Sequence, residues 1–206
     1  MSQQVETNEW ATPAHAAAYL ERDRRPWPQR DHGYAELLDL LPAQPRRVLD
    51  LGTGDGKLMA MIGAPGMALD FSPTMLEAAR QRFHAEDVEV VEHNLNAPLP
   101  ELGTFDVVVS AFAIHHCPHE RKQALYAEVF DVLEPGGAFV NLEHVSSPTP
   151  ELHEQFLRLI DAPEDPSNKL LDVETQLRWL REIGFVQVDC HWKWRELALL
   201  AGVKPA

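Results

Sequence analysis

The chain has 206 residues, of which 45% are hydrophobic and 24% charged, and its formal net charge at pH 7 is −14. This composition is typical of one soluble globular domain, and no apolar run approaches the roughly 20 residues that cross a bilayer. The acidic balance disfavours a nucleic-acid partner, since proteins that bind phosphate backbones normally present a basic face. We therefore expect a small-molecule partner, with no nucleic acid and no membrane.

The N-terminal sequence and the cysteine content both bear on where the protein is located. The first residues, MSQQVETNEWATPAH, lack the basic-then-apolar pattern of a signal peptide. The two cysteines, Cys117 and Cys190, form neither a disulfide framework nor a CxxC pair. Both observations predict a cytoplasmic protein.

Residues 1–45 are rich in proline, arginine and aromatic residues and predict a small helical cap. Short helices are expected at about 13–20 and 32–41, with Pro26 and Pro28 preventing one continuous helix.

From residue 46 onward, strands and helices alternate. The apolar runs predict strands at 46–51, 66–70, 88–93, 105–112 and 138–145, with helices at about 56–62, from Ser72 onward, and at 121–133. Ser72 is expected at the N-cap of its helix and Pro73 at the first helical position. We expect EPGG to end the helix at 121–133, because Gly136 and Gly137 can adopt positive φ.

The C-terminal part, 146–206, repeats the alternation and ends differently. Helices near 150–160 and 172–182 precede two strands, GFVQVDCHW and ELALLAGVK, which are too close for a crossover and should pair antiparallel. The pattern predicts a single α/β domain over residues 1–206: a doubly wound, mostly parallel seven-stranded sheet with the last strand antiparallel and an N-terminal helical cap.

The segment VLDLGTGDGKL reads as a strand, a glycine-rich loop and a helix. Gly52, Gly54 and Gly56 leave the backbone bare for a ligand, and the following helix adds unsatisfied N–H groups. Asp70 ends the second strand, where a carboxylate can accept both hydroxyls of a ribose. The dinucleotide pattern GxGxxG is not met, since its sixth position is Lys57 rather than glycine.

Five segments, in this order and spacing, resemble the class I S-adenosylmethionine-dependent methyltransferases, a Rossmann-like family: VLDLGTGDGKL, ALDFSPTML, NLNAPLP, FDVVVSAFAIHH and VLEPGGAFV. The resemblance is strong over about 46–145, which it makes the cofactor-binding core, and extends to the final strand pair. It implies that S-adenosyl-L-methionine is the cofactor.

Carried over by position, the resemblance implies a set of cofactor contacts. Asp50, Gly52, Gly54 and Gly56 would line the methionine part, with Asp50 helping to hold its amino group. Asp70 would take the ribose hydroxyls and Phe71 would pack beside the adenine. Asn94 stands where the family often has an aspartate, and its amide oxygen can still accept a hydrogen bond. The backbone N–H of Leu95 would reach the ring, and Ser110 and Ala111 would approach the sulfonium.

The stretch AIHHCPHE directly follows the fourth strand and so lies beside the expected methyl group. A histidine with a pKa near 6.5 suits removal of a proton from an alcohol, phenol or ammonium acceptor. If the segment is extended, His115 and His116 cannot both face the cofactor, and we favour His116 as the catalytic residue ahead of His115. A structural role for both histidines is the alternative, and Cys117 is expected to be a small buried residue.

A metal site is a third interpretation of these histidines. His115 or His116 could converge with Glu143, His144 and His153, and imidazole and carboxylate are good zinc or manganese ligands. No spacing compels coordination, so the sequence predicts no metal ligands. If a metal is bound, this set would hold it.

The segments outside the common core, 10–41 and 146–170, should cap the site and decide the acceptor. Their aromatic residues could form the walls of a pocket or part of the core: Trp10, Tyr19, Trp27, Tyr34 and Phe156. Trp192 and Trp194 are expected to pack at the sheet edge or under the cap.

The sequence thus predicts methyl transfer to oxygen, nitrogen or carbon of a small molecule. Two alternatives are an NAD-linked oxidoreductase on a similar sheet and a cofactor-binding module without catalysis. The acceptor, the metal requirement and the oligomeric state are left open by these patterns.

Overall fold

The computed structural model of the chain describes Thr12, Ala14, residues 27–83 and residues 87–206. The predicted helix at about 13–20 falls almost entirely outside these residues, as do Trp10 and Tyr19. Among the helices that are described, none is both long and apolar enough to span a bilayer.

The described elements alternate as predicted. In chain order they are α1 (Pro28–Asp39), β1 (Val48–Leu51), α2 (Lys57–Ile62), β2 (Gly66–Asp70), α3 (Pro73–Arg82), β3 (Val88–Glu92), β4 (Phe105–Ala111), a 3₁₀ turn (Ile114–His116), α4 (His119–Val132), β5 (Leu133–His144), α5 (Pro150–Ile160), α6 (Val173–Ile183), β6 (Val186–Trp194) and β7 (Leu197–Val203).

The strands form one seven-stranded sheet in the order β3-β2-β1-β4-β5-β7-β6. The first five strands pair parallel, whereas β7 runs antiparallel to both β5 and β6. The predicted fold, with its antiparallel last strand, is therefore confirmed.

Helices cover both faces of the sheet, and successive strand residues point to opposite faces. Val107 and Val109 of β4 pack in a cluster with residues of α1, α2 and α3, such as Leu37. Val108, between them, packs instead with residues of α4 and α6, such as Leu125. Because both faces are buried, β1 has no exposed residue, as is usual for a central parallel strand.

Three of the described helices begin at a proline: α1, α3 and α5. Helix α1 begins at Pro28, four residues before its predicted start, because the first helical position needs no N–H donor. Helix α3 begins at Pro73 after Ser72, as predicted, but the Ser72 side chain makes no capping hydrogen bond. The apolar residues of α3 and its C-cap are buried: Met75, Leu76, Ala79 and Phe83.

The prediction that EPGG ends the preceding helix is wrong. Helix α4 ends at Val132, and Leu133 is already extended with a ψ of 139°. The register with β4 then shifts between the pairs Phe105–Leu133 and Val107–Ala138. The four residues EPGG form this irregular start of β5, where Gly136 does adopt a positive φ of 80°.

The carboxyl ends of β1, β2, β4 and β5 meet at one edge of the sheet. The order reverses between β1 and β4, and ligands of open α/β sheets bind at such a switch point. Since β7 is antiparallel, its first residue, Leu197, lies at the same edge, opposite His144.

Two glycines, Gly66 at the first position of β2 and Gly63 three residues before it, provide a test of this packing. A Cβ on Gly66 would lie 1.9 Å from the Val48 carbonyl oxygen, whereas a Cβ on Gly63 would meet nothing within 4 Å. We expect Gly66→Ala to lower the free energy of unfolding by about 3 kcal/mol or more. Gly63→Ala adds only the backbone strain of a φ of +66°, so it should lower the free energy of unfolding by about 1 kcal/mol. Urea denaturation measures both values. Equal losses of unfolding free energy in the two variants would contradict the close β1–β2 contact at Gly66.

Candidate active site

Two cavities open at the carboxyl edge of the sheet. The first cavity is lined by the loop after β1, the ends of β2, β3 and β4, and the 3₁₀ turn, and includes Asp50, Gly52, Gly54, Asp70, Phe71, Asn94, Leu95 and His116. Most of the cofactor-binding residues implied by the resemblance are therefore brought together in one wall.

The three glycines after β1 all have positive φ, but for different reasons. A Cβ on Gly52 would lie 2.2 Å from the Ala113 Cβ, so glycine allows the loop to approach the end of β4. A Cβ on Gly54 would meet nothing within 4 Å and would stand at the cavity wall. A Cβ on Gly56 would lie 2.4 Å from the Phe83 ring. Gly56 is not part of the described wall, so it serves packing on α3 rather than the ligand contact we predicted.

Asp50 is a buried carboxylate in the wall of the first cavity, with 1% of its surface exposed. Its Oδ2 accepts a hydrogen bond from the Thr53 hydroxyl at 2.7 Å. Burial raises the pKa of Asp50 to about 7, because desolvation disfavours its charged form; the Thr53 bond lowers it, and Asp70 and Asp55 raise it further. A cation in the cavity would relieve this cost.

Asp70 joins the end of β2 to the glycine loop. Its Oδ2 accepts from the Gly54 N–H at 2.9 Å, and its Oδ1 accepts from the Ser72 N–H at 2.8 Å. Burial raises the pKa of Asp70, although these backbone donors act in the opposite direction. A third backbone hydrogen bond, from Phe71, also lowers the pKa. The two carboxylate oxygens offer about four lone-pair sites, so the carboxylate can also accept a hydroxyl donor from the cavity.

The far end of the first cavity follows β3. Asn94 Oδ1 accepts from the Asn96 N–H at 3.0 Å, so the amide oxygen predicted to face a ligand already caps its own turn. The Leu95 carbonyl accepts from Arg121 Nε at 2.7 Å, which holds this turn against α4. His93 Nε2 is buried in this wall without a hydrogen-bond partner among the described residues.

The end of β4 corrects one prediction. Ser110 is fully buried, and its hydroxyl donates to the Leu51 carbonyl at 2.8 Å, so it ties β4 to β1 and does not reach the first cavity. Ala111, Phe112 and Ala113 line the cavity instead. Phe112 has a φ of +55°, a strained conformation for a bulky residue that often marks a functional site.

The histidine pair lies in a 3₁₀ turn and not in an extended segment, so its side chains do not alternate as we expected. The two rings lie side by side with centroids 4.0 Å apart. His116 lines both cavities, whereas His115 is 6% exposed and reaches only the second. The preference for His116 as the residue facing the first cavity therefore agrees with the geometry.

The pKa of both histidines is lowered, which corrects the expectation of a value near 6.5. Burial lowers the pKa of His116 to about 3 and His115 lowers it further, while Asp165, Glu143 and a backbone hydrogen bond with Ser167 raise it. Burial also lowers the pKa of His115 well below its ordinary value. Both rings are neutral at pH 7.

A buried polar network holds His115. Its Nδ1 lies 2.8 Å from Glu143 Oε1, and Glu143 Oε2 accepts from the Asn141 amide at 3.4 Å. The same amide reaches the Tyr126 hydroxyl at 3.3 Å, and that hydroxyl donates to Gln176 Oε1 at 2.6 Å. This chain links the 3₁₀ turn to β5, α4 and α6, so the structural interpretation fits His115.

The second cavity has a volume of about 520 Å³ and lies beside the first. Four residues line both cavities and so form their junction: Arg30, Lys57, Phe112 and His116. Aromatic residues from three separate segments contribute to its wall: Trp27, Phe156 and Trp194. Of the aromatic residues predicted to line a pocket, Trp27 and Phe156 line the second cavity and Tyr34 lines the first. Trp192 packs in the cluster that includes α1, whereas Trp194, also expected only to pack, lines the second cavity.

The five residues of the metal interpretation do not converge. His115 pairs with Glu143, whereas His144 Nε2 and His153 Nδ1 both reach Glu196, at 2.9 Å and 3.0 Å. Within the part of the chain that the structure describes, no group of three or more histidine, cysteine, aspartate or glutamate side chains could hold a metal ion.

Several residues of the site have no local sequence signal. Arg30, Lys57 and Phe112 reach the cavity junction from different elements. Ser167 contacts His116 from 51 positions away. Thr53 could have been found, because it stands three residues from Asp50 in the glycine loop.

The chain resembles known proteins both in sequence and in fold. A sequence profile of the family described as methyltransferase domain matches residues 48–137. The chain is 31% identical over 189 residues to the demethylmenaquinone methyltransferase of Clavibacter sepedonicus, covering 80% of this chain and 76% of that protein. It is 37% identical over 116 residues to that of Thermus thermophilus, covering 52% of this chain and 51% of that protein.

A further relative and two solved structures extend the comparison. The ubiquinone/menaquinone biosynthesis C-methyltransferase of Methylobacterium nodulans is 38% identical over 117 residues, with 51% of this chain and 45% of that protein covered. An O-methyltransferase family protein from Burkholderia thailandensis has a TM-score of 0.72 at 22% identity, covering 96% of this chain and 62% of that one. Human N-acetylserotonin methyltransferase, solved with S-adenosylmethionine, has a TM-score of 0.69 at 16% identity, covering 100% and 60%. Both structures share the fold, and the chain spans about half the length of several curated relatives.

The buried carboxylate of Asp50 predicts an unusual pH dependence of stability. Its pKa is about 7 in the folded chain against 3.8 as the ordinary value, so the free energy of unfolding falls as the pH rises between these values. We expect Asp50→Asn to be more stable than the wild type at pH 8, by at most about 4 kcal/mol. The advantage should vanish near pH 4, where the wild-type carboxyl is protonated.

Urea denaturation of both proteins across this pH range measures the difference, and Asp39→Asn, at an exposed residue of α1, is the control. A pH-independent difference would show that Asp50 is not desolvated as described.

Proposed function

We propose that this chain, which belongs to the class I S-adenosylmethionine-dependent methyltransferases, transfers the methyl group of S-adenosyl-L-methionine to oxygen, nitrogen or carbon of a small molecule. The chain is a methyltransferase by family, and its methyl donor and its acceptor are the proposal. One observation carries the proposal: the cavity of the glycine loop and a second cavity of about 520 Å³ share a junction that contains His116.

The residues of the first cavity fit the cofactor. Asp50 is a desolvated carboxylate that an ammonium group would neutralise, and the bare backbone of Gly54 leaves room beside it. Asp70 would accept the ribose hydroxyls, and Phe71, Asn94 and the Leu95 backbone would surround the adenine. Bound here, the cofactor supplies an electrophilic methyl group.

The protein's task in methyl transfer is mainly to align the two partners and exclude water. Phe112 lies in both cavities, with its strained backbone fixed by a hydrogen bond from its N–H to the Leu142 carbonyl at 2.8 Å. The Arg30 guanidinium lies 5.2 Å from the centre of its ring. These contacts hold the junction in one shape through which donor and acceptor can meet.

His116 would accept the proton of the acceptor as the methyl group is transferred. Burial lowers the pKa of His116 to about 3, so the ring is unprotonated at neutral pH but is a weak base, and the cation that forms must be stabilised by its surroundings. The carboxylates of Asp165 and Glu143 favour its charged form and would stabilise the cation that results. His115 supports this position through its contact with Glu143 and is not proposed as a base.

The acceptor would bind in the second cavity among aromatic and polar side chains. Its aromatic wall favours a planar, partly apolar molecule with an ionisable group. A more specific candidate is the ring carbon of a quinol, because two of the relatives are named demethylmenaquinone methyltransferases and a third a C-methyltransferase of quinone biosynthesis. A nucleic-acid acceptor is disfavoured by the net charge of −14, and we propose action in the cytoplasm.

Cofactor binding can be tested at Gly54. A methyl group there would stand at the wall of the first cavity, so Gly54→Ala should weaken binding of S-adenosylhomocysteine by about tenfold or more, equivalent to about 1.4 kcal/mol. Gly63→Ala has a similar positive φ and no nearby atoms, and should bind like the wild type. Isothermal titration calorimetry measures both affinities.

The same titration with NAD separates the oxidoreductase alternative. Binding of NAD without binding of S-adenosylhomocysteine, or equal losses in the two alanine variants, would reject the proposed cofactor site.

The role of His116 can be tested by turnover. His116→Ala should lower kcat about 100-fold or more while changing the affinity for S-adenosylhomocysteine less than about threefold, because general-base catalysis contributes about 10²–10⁴. His191→Ala, at an exposed histidine of β6, is the matched control. Full turnover in His116→Ala would reject the base, and binding without turnover in the wild type would favour the non-catalytic alternative.

The substrate for that assay comes from a screen with radiolabelled methyl donor. Metabolite extracts and a reduced demethylmenaquinone analogue are offered with and without chelator. Label transferred to a small molecule supports the proposal, label on the quinol ring supports the specific candidate, and loss of transfer with chelator would reopen the question of a metal.

A further inference from the structure

The segment after α5, residues 161–172, is fastened by several hydrogen bonds to the histidine turn, the 3₁₀ turn Ile114–His116. The Lys169 N–H donates to the His115 carbonyl at 2.8 Å, and the buried Lys122 ammonium donates to the same carbonyl at 3.3 Å and to the Lys169 carbonyl. His119 Nε2 lies 3.1 Å from the Leu170 carbonyl. Bonds from the segment's own backbone and from side chains of α4 therefore fix its position relative to the turn.

Within this segment, a serine and an aspartate form a chain of hydrogen bonds that ends at His116. The Ser167 hydroxyl lies 3.0 Å from His116 Nδ1. It also lies 2.7 Å from Asp165 Oδ1, which in addition accepts from the Ser167 N–H at 2.9 Å. The two distances place one hydroxyl, with one proton, between an imidazole nitrogen and a carboxylate.

The direction of donation along these hydrogen bonds follows from the charge of Asp165. An ionised carboxylate can only accept, so the Ser167 proton must point to Asp165. The hydroxyl oxygen is then left to accept, and the His116 nitrogen that faces it must carry a proton.

We infer that Asp165 and Ser167 are positioning residues that hold neutral His116 in its Nδ1–H tautomer, which leaves the lone pair on Nε2. The catalytic consequence of this inference rests on the proposed role of His116 as the base. The tautomer itself does not.

The charges around the pair agree with this direction. Burial raises the pKa of Asp165, but the hydrogen bonds from Ser167 help to lower it below its ordinary value, so the carboxylate stays ionised. On the other side of His116 lies the ring of His115, 4.0 Å away and neutral. Asp165 and Glu143 both favour the charged form of His116, and a backbone hydrogen bond with Ser167 acts in the same sense.

The chain also suits the proposed proton transfer. When Nε2 takes the proton of the acceptor, Nδ1 keeps its own proton and continues to donate to Ser167. No proton has to leave Asp165 or Ser167, so the positive charge that forms on the ring meets an arrangement that is already oriented.

Nitrogen-15 NMR of histidine-labelled protein tests the tautomer directly, with the His116 signals assigned by comparison with His116→Gln. The wild type should show a protonated Nδ1 and an unprotonated Nε2 at pH 7.5. Ser167→Ala should lose this preference, and Ser167→Thr, which keeps the hydroxyl, should restore it. A protonated Nε2 in the wild type, or an unchanged tautomer in Ser167→Ala, would overturn the inference.

Kinetics test the consequence. Loss of one hydrogen bond to the base should lower kcat of Ser167→Ala about tenfold with little change in KM, and Ser167→Thr should recover most of it. Circular dichroism and the affinity for S-adenosylhomocysteine, both unchanged, exclude a folding defect in Ser167→Ala. If His116→Ala lowers turnover but Ser167→Ala does not, the positioning role is wrong while the proposed function stands. If His116→Ala keeps full turnover, the proposed base fails, and the NMR result alone decides the tautomer.

Discussion

Parallel pairing of β1, β2, β4 and β5 brings the carboxyl ends of four strands to one edge of the sheet, and every part of the site depends on this constraint. A single sheet edge receives the glycine loop, the carboxylate of Asp70 and the histidine turn from separate parts of the chain. The bond from the Gly54 N–H to Asp70 and the bond from Ser110 to the Leu51 carbonyl then lock these ends together. The antiparallel β7 adds its first residues to the same edge, which is why Glu196 can reach His144.

The same edge concentrates features that oppose folding. Asp50 is desolvated enough to raise its pKa to about 7, and Phe112 holds a backbone conformation that costs of order 1 kcal/mol or more. The Ser72 hydroxyl and His93 Nε2 are buried without described hydrogen-bond partners. Stability is lowered where a ligand can restore it, as expected for a binding site built on a rigid scaffold.

The sequence predicts what is local and periodic. The order of elements, the antiparallel strand pair and the cavity wall at Gly52, Gly54 and Asp70 follow from alternation and from one short motif. Gly56 and Ser110 were assigned to the ligand by position, but their roles depend on tertiary neighbours, the Phe83 ring and the Leu51 carbonyl. The histidine pair was expected in an extended segment, with its side chains pointing opposite ways, yet a 3₁₀ turn places the two rings side by side. Contacts across 51 positions, such as Ser167 with His116, carry no sequence signal at all.

The two cavities differ in how they are assembled, and this difference bears on specificity. The first cavity is formed mainly by the turns that directly follow parallel strands, so its shape is tied to the sheet. The second is formed largely by α1, α5 and the segment after α5, which the sheet does not position by itself. Side-chain contacts hold these parts instead: His153 joins α5 to Glu196 and to Glu164, and although burial lowers its pKa, both carboxylates raise it. Lys122 and Ser167 fasten the same segment to the histidine turn, so the wall of the second cavity and His116 are held together at the junction.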